Sequence, residues 1–255
     1  MVLQKVIHIL LCVTHIIICH TFSLMENNLV TQSNYLIQAS YNLTLDEQRL
    51  VIVAISICDS SKELPKTVKI SAKDYADLYG LNLKNAYTQI QNAAKNLYKQ
   101  TIDFSSNEEN IEQIGEMRWI HSRGETTDGS VTLKFNPDLK PYLSNLKAEF
   151  TSYRIRHIVA LKSPYSIRLY ESICQYSEIG SFWVSIEKFR KMFCIENKYK
   201  RFIDIKRRIL EPSIKELNKK TNMDITYNVE KKDRKIIKII FSFKEKQQSE
   251  IDFIT

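Results

Sequence analysis

Ile70–Leu81 reads ISAKDYADLYGL, and Val184–Ile195 reads VSIEKFRKMFCI. Both follow one pattern, apolar–Ser–x–x–x–aromatic–x–x–apolar–aromatic–x–apolar, displaced by 114 residues. Solenoid repeats recur every 20–50 residues or so, and this spacing is far beyond them, so it points to one domain used twice. In each copy the serine is placed to cap a short helix, predicted over Ala72–Tyr79 and Ile186–Phe193. Gly80 is placed to end the first of these.

Outward from the repeat, the same series of elements is predicted on both sides. In the first copy Thr44 and Glu47 form a capping box that opens an apolar helix through Ile57. Asn82 caps a longer helix of about Leu83–Lys99, with Ala86, Ile90, Ala93, Ala94 and Leu97 on its apolar face. Strand-like runs follow at Glu116–His121 and Val131–Phe135, around a loop with Gly124, Asp128 and Gly129. In the second copy Ser163 and Pro164 start a helix over Tyr165–Tyr176. A long helix of about Lys198–Lys219 is expected to kink or end its first part at Pro212. Alternating strands are predicted at Asp224–Val229 and Ile236–Phe243, with Glu230–Lys235 as the turn. Helix, short helix, longer helix, hairpin is the order of a winged helix-turn-helix. The expected fold class is therefore α+β, two tandem winged helix-turn-helix domains related by internal duplication, over 25–151 and 152–246.

Charge divides along the same border. Residues 25–151 carry 13 Lys and Arg against 16 Asp and Glu, net −3, whereas residues 152–246 carry 23 against 11, net +12. An imbalance confined to one half suggests a polyanionic partner. Nucleic acid is favoured over an anionic membrane, because the basic half has no strongly apolar amphipathic segment.

In a helix-turn-helix the second helix enters the major groove and the wing lies along the backbone. The second-copy helix presents Lys198, Lys200, Arg201, Arg207 and Arg208, and the turn after it Lys231, Lys232, Arg234 and Lys235. Arginine can bond guanine in bidentate fashion and lysine mostly neutralises phosphate, so Arg201, Arg207 and Arg208 are the candidate base readers. The plainer alternative is a solvated face with ion pairs such as Asp204 with Arg208. The first-copy helix shows Lys84, Asn85 and Gln89, suited to backbone contact or simply to solvation.

Catalytic signatures are missing: there is no GxxxxGK[ST], no HExxH and no nucleophile elbow. No catalytic residue, cofactor, metal site or small-molecule substrate is assigned. The five cysteines have no CxxC spacing, which suits a reducing compartment. Residues 1–24 form an apolar leader containing Cys12, His15, Cys19 and His20, too little for a metal site without a scaffold. It reads as a signal peptide, a marginal membrane anchor, or upstream sequence before a start at Met25. The last reading is preferred, with the protein cytoplasmic and 247–255 a frayed tail.

Three stretches, Asn27–Ser56, Phe150–Tyr176 and Phe202–Phe243, resemble the Rep-type initiator proteins of iteron plasmids. LTLDEQRL, SPYSIRLYE and the run L-x-P-x-I-x-E-L-N at Leu210–Asn218 carry that resemblance most specifically. It implies binding of repeated double-stranded DNA sites (iterons) at a plasmid origin, help in opening adjacent AT-rich DNA, and recruitment of host replication proteins, including the replicative helicase and initiator. It also implies a homodimer in equilibrium with monomer, formed through the amino-terminal domain, that represses its own gene at an operator inverted repeat. In such proteins the carboxy-terminal winged helix dominates base readout. A winged-helix transcriptional repressor with no replication role, and a membrane-tethered or exported protein that uses the leader, are the alternatives.

Overall fold

The computed structural model describes residues 28–104 and 115–246. The expectations placed on 1–24, on a start at Met25 and on 247–255 lie outside the described residues. β1 (Leu29–Ser33) ends on Ser33, whose hydroxyl caps α1 (Asn34–Gln38) by accepting from the Tyr35 amide. α2 (Leu45–Ile57) starts on the capping box: Thr44 Oγ1 accepts from the Glu47 amide, and Glu47 Oε2 accepts from the Thr44 amide at 2.8 Å. Its stretch Leu50–Ile55 is buried on all sides, which makes it the central helix of the first unit. β2 (Val68–Ser71) runs directly into α3 (Ala72–Tyr79), capped by Ser71 and closed by Gly80 in the left-handed region at φ 62°. α4 (Leu83–Leu97) is capped by Asn82 and buries the five residues expected, but it stops short of Lys99.

β3 (Thr101–Asp103), β4 (Glu116–Arg118), β5 (Ile120–Glu125) and β6 (Ser130–Phe135) complete the unit before the short α5 (Lys140–Leu143). The single strand expected over Glu116–His121 is two, because the chain changes partner at Trp119. β4 pairs with β3 and β5 with β6, while the buried indole packs edge-on against Tyr41 at 5.0 Å. Gly124 lies within β5 rather than in the loop. A Cβ there would meet Thr132 Oγ1 at 2.7 Å, so this close approach requires glycine.

β7 (Phe150–Arg154) returns to pair antiparallel with β1, Leu29 opposite Arg154, and so straddles the 151/152 border. α6 (Pro164–Cys174) has Ser163 as its cap and Pro164 at its start. β8 (Ser181–Ser185) runs into α7 (Ile186–Met192), capped by Ser185. α8 (Phe202–Ile205), a π turn (Lys206–Leu210) and α9 (Glu211–Lys220) follow in line. β9 (Met223–Lys232) and β10 (Lys235–Glu245) form the final hairpin.

The duplication is visible in the sheets. One has the order β2-β6-β5 and the other β8-β10-β9. In each, the strand that ends on the capping serine pairs with the second strand of the hairpin. The fold is two winged helices of mixed α and β structure, as the repeat predicted.

Three local expectations are corrected. The long helix begins at Phe202, not Lys198, so Lys198 and Lys200 sit in the turn before it. Pro212 does not end it. Proline lacks the N–H for the carbonyl four residues back and crowds that carbonyl. Just ahead of it the helix widens, with the Glu211 amide donating to Lys206 O five residues back. The last turn is tighter than Glu230–Lys235. Only Asp233 and Arg234 are outside the strands, at φ 49° and 66°, the pair of left-handed residues that a type I′ turn requires.

One apolar core runs through both units, from Val30 to Phe243. At their junction Glu171 of α6 is buried and accepts from Gln32 Nε2 and Tyr153 OH, both at 2.9 Å. Burial raises its pKa above the ordinary 4.5, against the opposing pull of Arg168. A raised folded pKa means that stability is full below the unfolded value and is lost as pH rises through the folded one. Glu171→Gln keeps the acceptor without the charge. We expect it to be more stable than the parent at pH 7 in urea titrations, with the gain shrinking as pH falls towards 4.5; a gain that grows on acidification would contradict this.

Candidate nucleic-acid interface

The candidate interface is built around the turn between α7 and α8. Cys194 and Tyr199 both take left-handed backbone there, at φ 49° and 51°, which strands carbonyls that no helix satisfies. Arg190, on α7, supplies the donors. Its Nη1 donates to Ile195 O and Lys198 O at 3.4 and 3.1 Å, and its Nη2 to Tyr199 O and Lys200 O at 2.9 and 3.0 Å. One planar guanidinium thus holds the loop on which Lys198 and Lys200 are displayed, a geometry that lysine cannot reproduce.

On α8 and the π turn, Asp204 gathers two arginines. Its carboxylate accepts from Arg201 Nε at 3.1 Å and Arg207 Nη2 at 3.4 Å, and the Arg201 bond holds its pKa below the ordinary value. The Asp204 side chain is 18 % exposed against 76 % for Arg201 and 67 % for Arg207, so the acid lies beneath and the two cations outside. Surface pairs of this kind add little stability; what this one fixes is position. The pairing expected between Asp204 and Arg208 is not formed. Arg208 instead lies over the Tyr199 ring at 5.6 Å. Lys206 pairs with Glu211 at 3.4 Å, with Tyr227 of β9 beside it.

The long helix is anchored at its far end. Asn218 Nδ2 donates to Ile225 O at 2.9 Å and its Oδ1 accepts from Ile225 N at 2.7 Å, fixing the base of the wing to the helix. Glu216 accepts from Lys162 N, Ser166 Oγ and Lys220 Nζ at 2.7–2.9 Å. Beyond that base, Lys231 and Lys232 on β9, Arg234 in the turn and Lys235 on β10 are all exposed. None forms an ion pair among the described residues. The predicted cations of the second unit therefore fall into three groups, on the turn, the helix and the wing.

The first unit differs in charge. Lys84 and Asn85 are exposed at the start of α4, but Gln89 is half-buried with its Oε1 covered. Around its wing the charges are matched: Lys69 with Asp128 at 2.6 Å and Arg123 with Glu125 at 3.1 Å. Among the described residues no group of His, Cys, Asp and Glu could hold a metal, and no helix is long and apolar enough to cross a membrane.

Comparison with known proteins agrees with this arrangement. Residues 29–174 match the family model of the initiator replication protein WH1 domain, and residues 185–243 match the initiator Rep protein WH2 domain. The chain belongs to this initiator replication protein family. A replication initiation protein of Escherichia coli is 24 % identical over 236 residues, covering 89 % of this chain and 73 % of that protein. The PI protein of Escherichia coli is 26 % identical over 251 residues, covering 84 % and 82 %. The crystal structure of the Pi initiator protein in complex with iteron DNA has the same fold, with a TM-score of 0.74 at 24 % identity, over 88 % of this chain and 99 % of that one.

Sequence reading missed Arg190 and the grouping by Asp204. A side chain that serves carbonyls five to ten residues downstream leaves no periodic signal; the one available hint was an arginine facing a loop rich in backbone without helix partners. We expect Arg190→Lys to speed hydrogen exchange of the amides in 195–201 at least about tenfold, since hydrogen bonds to a charged donor contribute roughly 1.5–3 kcal/mol each. Exchange in β9 and β10 should be unchanged. Uniform acceleration across the unit would mean that Arg190 supports the domain rather than the turn.

Proposed function

We propose that the protein is a plasmid replication initiator that binds repeated duplex sites, iterons, at its origin. The observation that carries this reading is the second unit itself, a helix flanked by a pinned basic loop and a wing whose four cations form no ion pair among the described residues. Phosphate contacts by Lys198, Lys200, Lys231, Lys232, Arg234 and Lys235 set the register, and Arg201, Arg207 and Arg208 read base edges. The Pi initiator protein, which this chain resembles in fold, is seen in complex with iteron DNA, which supports the class of ligand proposed here.

In this reading the units divide the labour. The part over 152–246 reads sequence. The part over 25–151, with its matched charges, adds backbone contacts through Lys84, Asn85 and Gln89 and mediates dimerisation. Bound monomers help open the origin and recruit host replication proteins, the replicative helicase and initiator among them. Dimers repress the gene at an inverted repeat. The protein acts in the cytoplasm, by binding, without cofactor or small-molecule substrate.

The test is a gel-shift titration on tandem repeats from the DNA beside the gene. The parent should prefer them over random duplex, with steep salt dependence. Arg207→Ala should cost about 1–3 kcal/mol and relax preference at one base pair. Lys231→Ala with Lys232→Ala should weaken all sequences alike and lower the salt slope by about 0.9 per lost contact. No preference for the repeats removes the proposal. If the repeats are bound but a plasmid with the gene and its flanks fails to replicate, the protein is a repressor alone.

A further inference from the structure

Within α8 and its π turn one large apolar side chain faces outward. Ile203 is 54 % exposed, while Ile205, Ile209 and Leu210 are buried. Its place on the helix is defined by its neighbours. On one side Arg208 leans over Tyr199 of the turn; on the other Lys206 pairs with Glu211 beside Tyr227 of the wing strand. Ile203 and Arg207, four residues apart, occupy the middle of the strip between them.

Single exposed apolar residues are common on protein surfaces and need no explanation in general. This one lies on the same short segment as Arg201, Arg207 and Arg208, all three of them exposed. An apolar protein partner seated on Ile203 would have to cover those three cations, and only Asp204, already engaged, is at hand to balance them. A polyanion meets no such penalty. The floor of the duplex major groove is a row of hydrogen-bond donors and acceptors with one apolar group, the 5-methyl of thymine.

We propose that Ile203 is a contact site for the 5-methyl group of thymine, beside Arg207 on the same face of the helix. The proposal rests on the reading of this helix as the element that enters the groove. It gives the helix two kinds of readout: arginine for guanine, and isoleucine for a thymine nearby.

Deoxyuridine differs from thymidine by that methyl alone, so it isolates the contact. In the test each thymine of one repeat is replaced singly by deoxyuridine, and the affinities of the parent, Ile203→Ala and Ile203→Val are measured in parallel. At one or two positions the parent should lose about fourfold, the equivalent of one buried methyl at roughly 0.8 kcal/mol. Ile203→Ala should bind the unmodified repeat about fivefold or more weakly and be indifferent to deoxyuridine at those same positions. Ile203→Val should fall between. Because the residue is exposed, thermal unfolding of both variants should match the parent. A parent indifferent to every substitution, or an alanine variant with the parent's profile, overturns the proposal. A parent that does not distinguish the unmodified repeat from random duplex overturns the initiator reading and this proposal together, and that comparison is made before any modified base is used.

Discussion

The relation between the two units depends on one buried guanidinium. Arg168, on α6, is 5 % exposed and donates to Ala39 O at 2.7 Å and Met192 O at 3.0 Å, with its carbon 3.7 Å from the centre of the Tyr41 ring. A buried charge costs several kcal/mol unless its donors are met. Here the acceptors are the end of α1 in the first unit and the end of α7 in the second, and helix C-termini carry the partial negative charge that suits a cation. One turn on, Glu171 holds Gln32 of β1 and Tyr153 of β7. These four bonds form only where α1, α7 and the β1–β7 pair all meet α6, although Arg168 Nη1 and Glu171 Oε2 have no hydrogen-bond partner among the described residues. The orientation of α8 and α9 relative to the first unit is therefore constrained by polar geometry, where apolar contact alone would allow sliding.

The helix is in turn held by groups that are themselves unavailable to a ligand. Arg190 spends its donors on the preceding turn, Asn218 on the wing base, and Glu216 on the start of α6. The π turn before Pro212 belongs to the same set of constraints. A straight α-helix would bring the proline ring against the carbonyl four residues back, while a widened turn keeps Arg207 and Arg208 exposed and Ile209 and Leu210 buried.

Much of this architecture was legible in the sequence because it rests on local rules. Ser71, Asn82, Thr44, Ser163 and Ser185 all cap the helices they were expected to cap. The alternation of Ile239, Phe241 and Phe243 is the buried face of β10. What was not legible is non-local. β1 and β7 pair across more than a hundred residues, and neither run is long enough to declare itself. Trp119 changes sheets for the sake of a ring contact with Tyr41. At the candidate interface the residue types were readable, but Lys198 and Lys200 were placed on a helix that begins later, since the Arg190 contacts that hold them in a turn have no signature in the sequence.

The residues of the Leu210–Asn218 run are the clearest case of form separated from readout. Leu210 and Leu217 fill the core, and Glu216 and Asn218 fasten the helix to α6 and β9. Glu216 and Asn218 are engaged within the unit, so these positions of the run shape and fasten the helix, while Glu211 and Lys215 stay exposed. The outward strip is the reverse. Ile203, Arg207 and the wing lysines satisfy no buried group, and apart from the Arg207–Asp204 pair a change at any of them leaves the internal hydrogen bonds of the helix in place. Core positions that must be filled or paired are costly to alter, while exposed ones away from caps and strained turns usually change stability by less than about 0.5 kcal/mol. On the proposed reading, a winged helix built in this way takes a new target sequence without being refolded, and the strip rather than the run is where a difference in target is written.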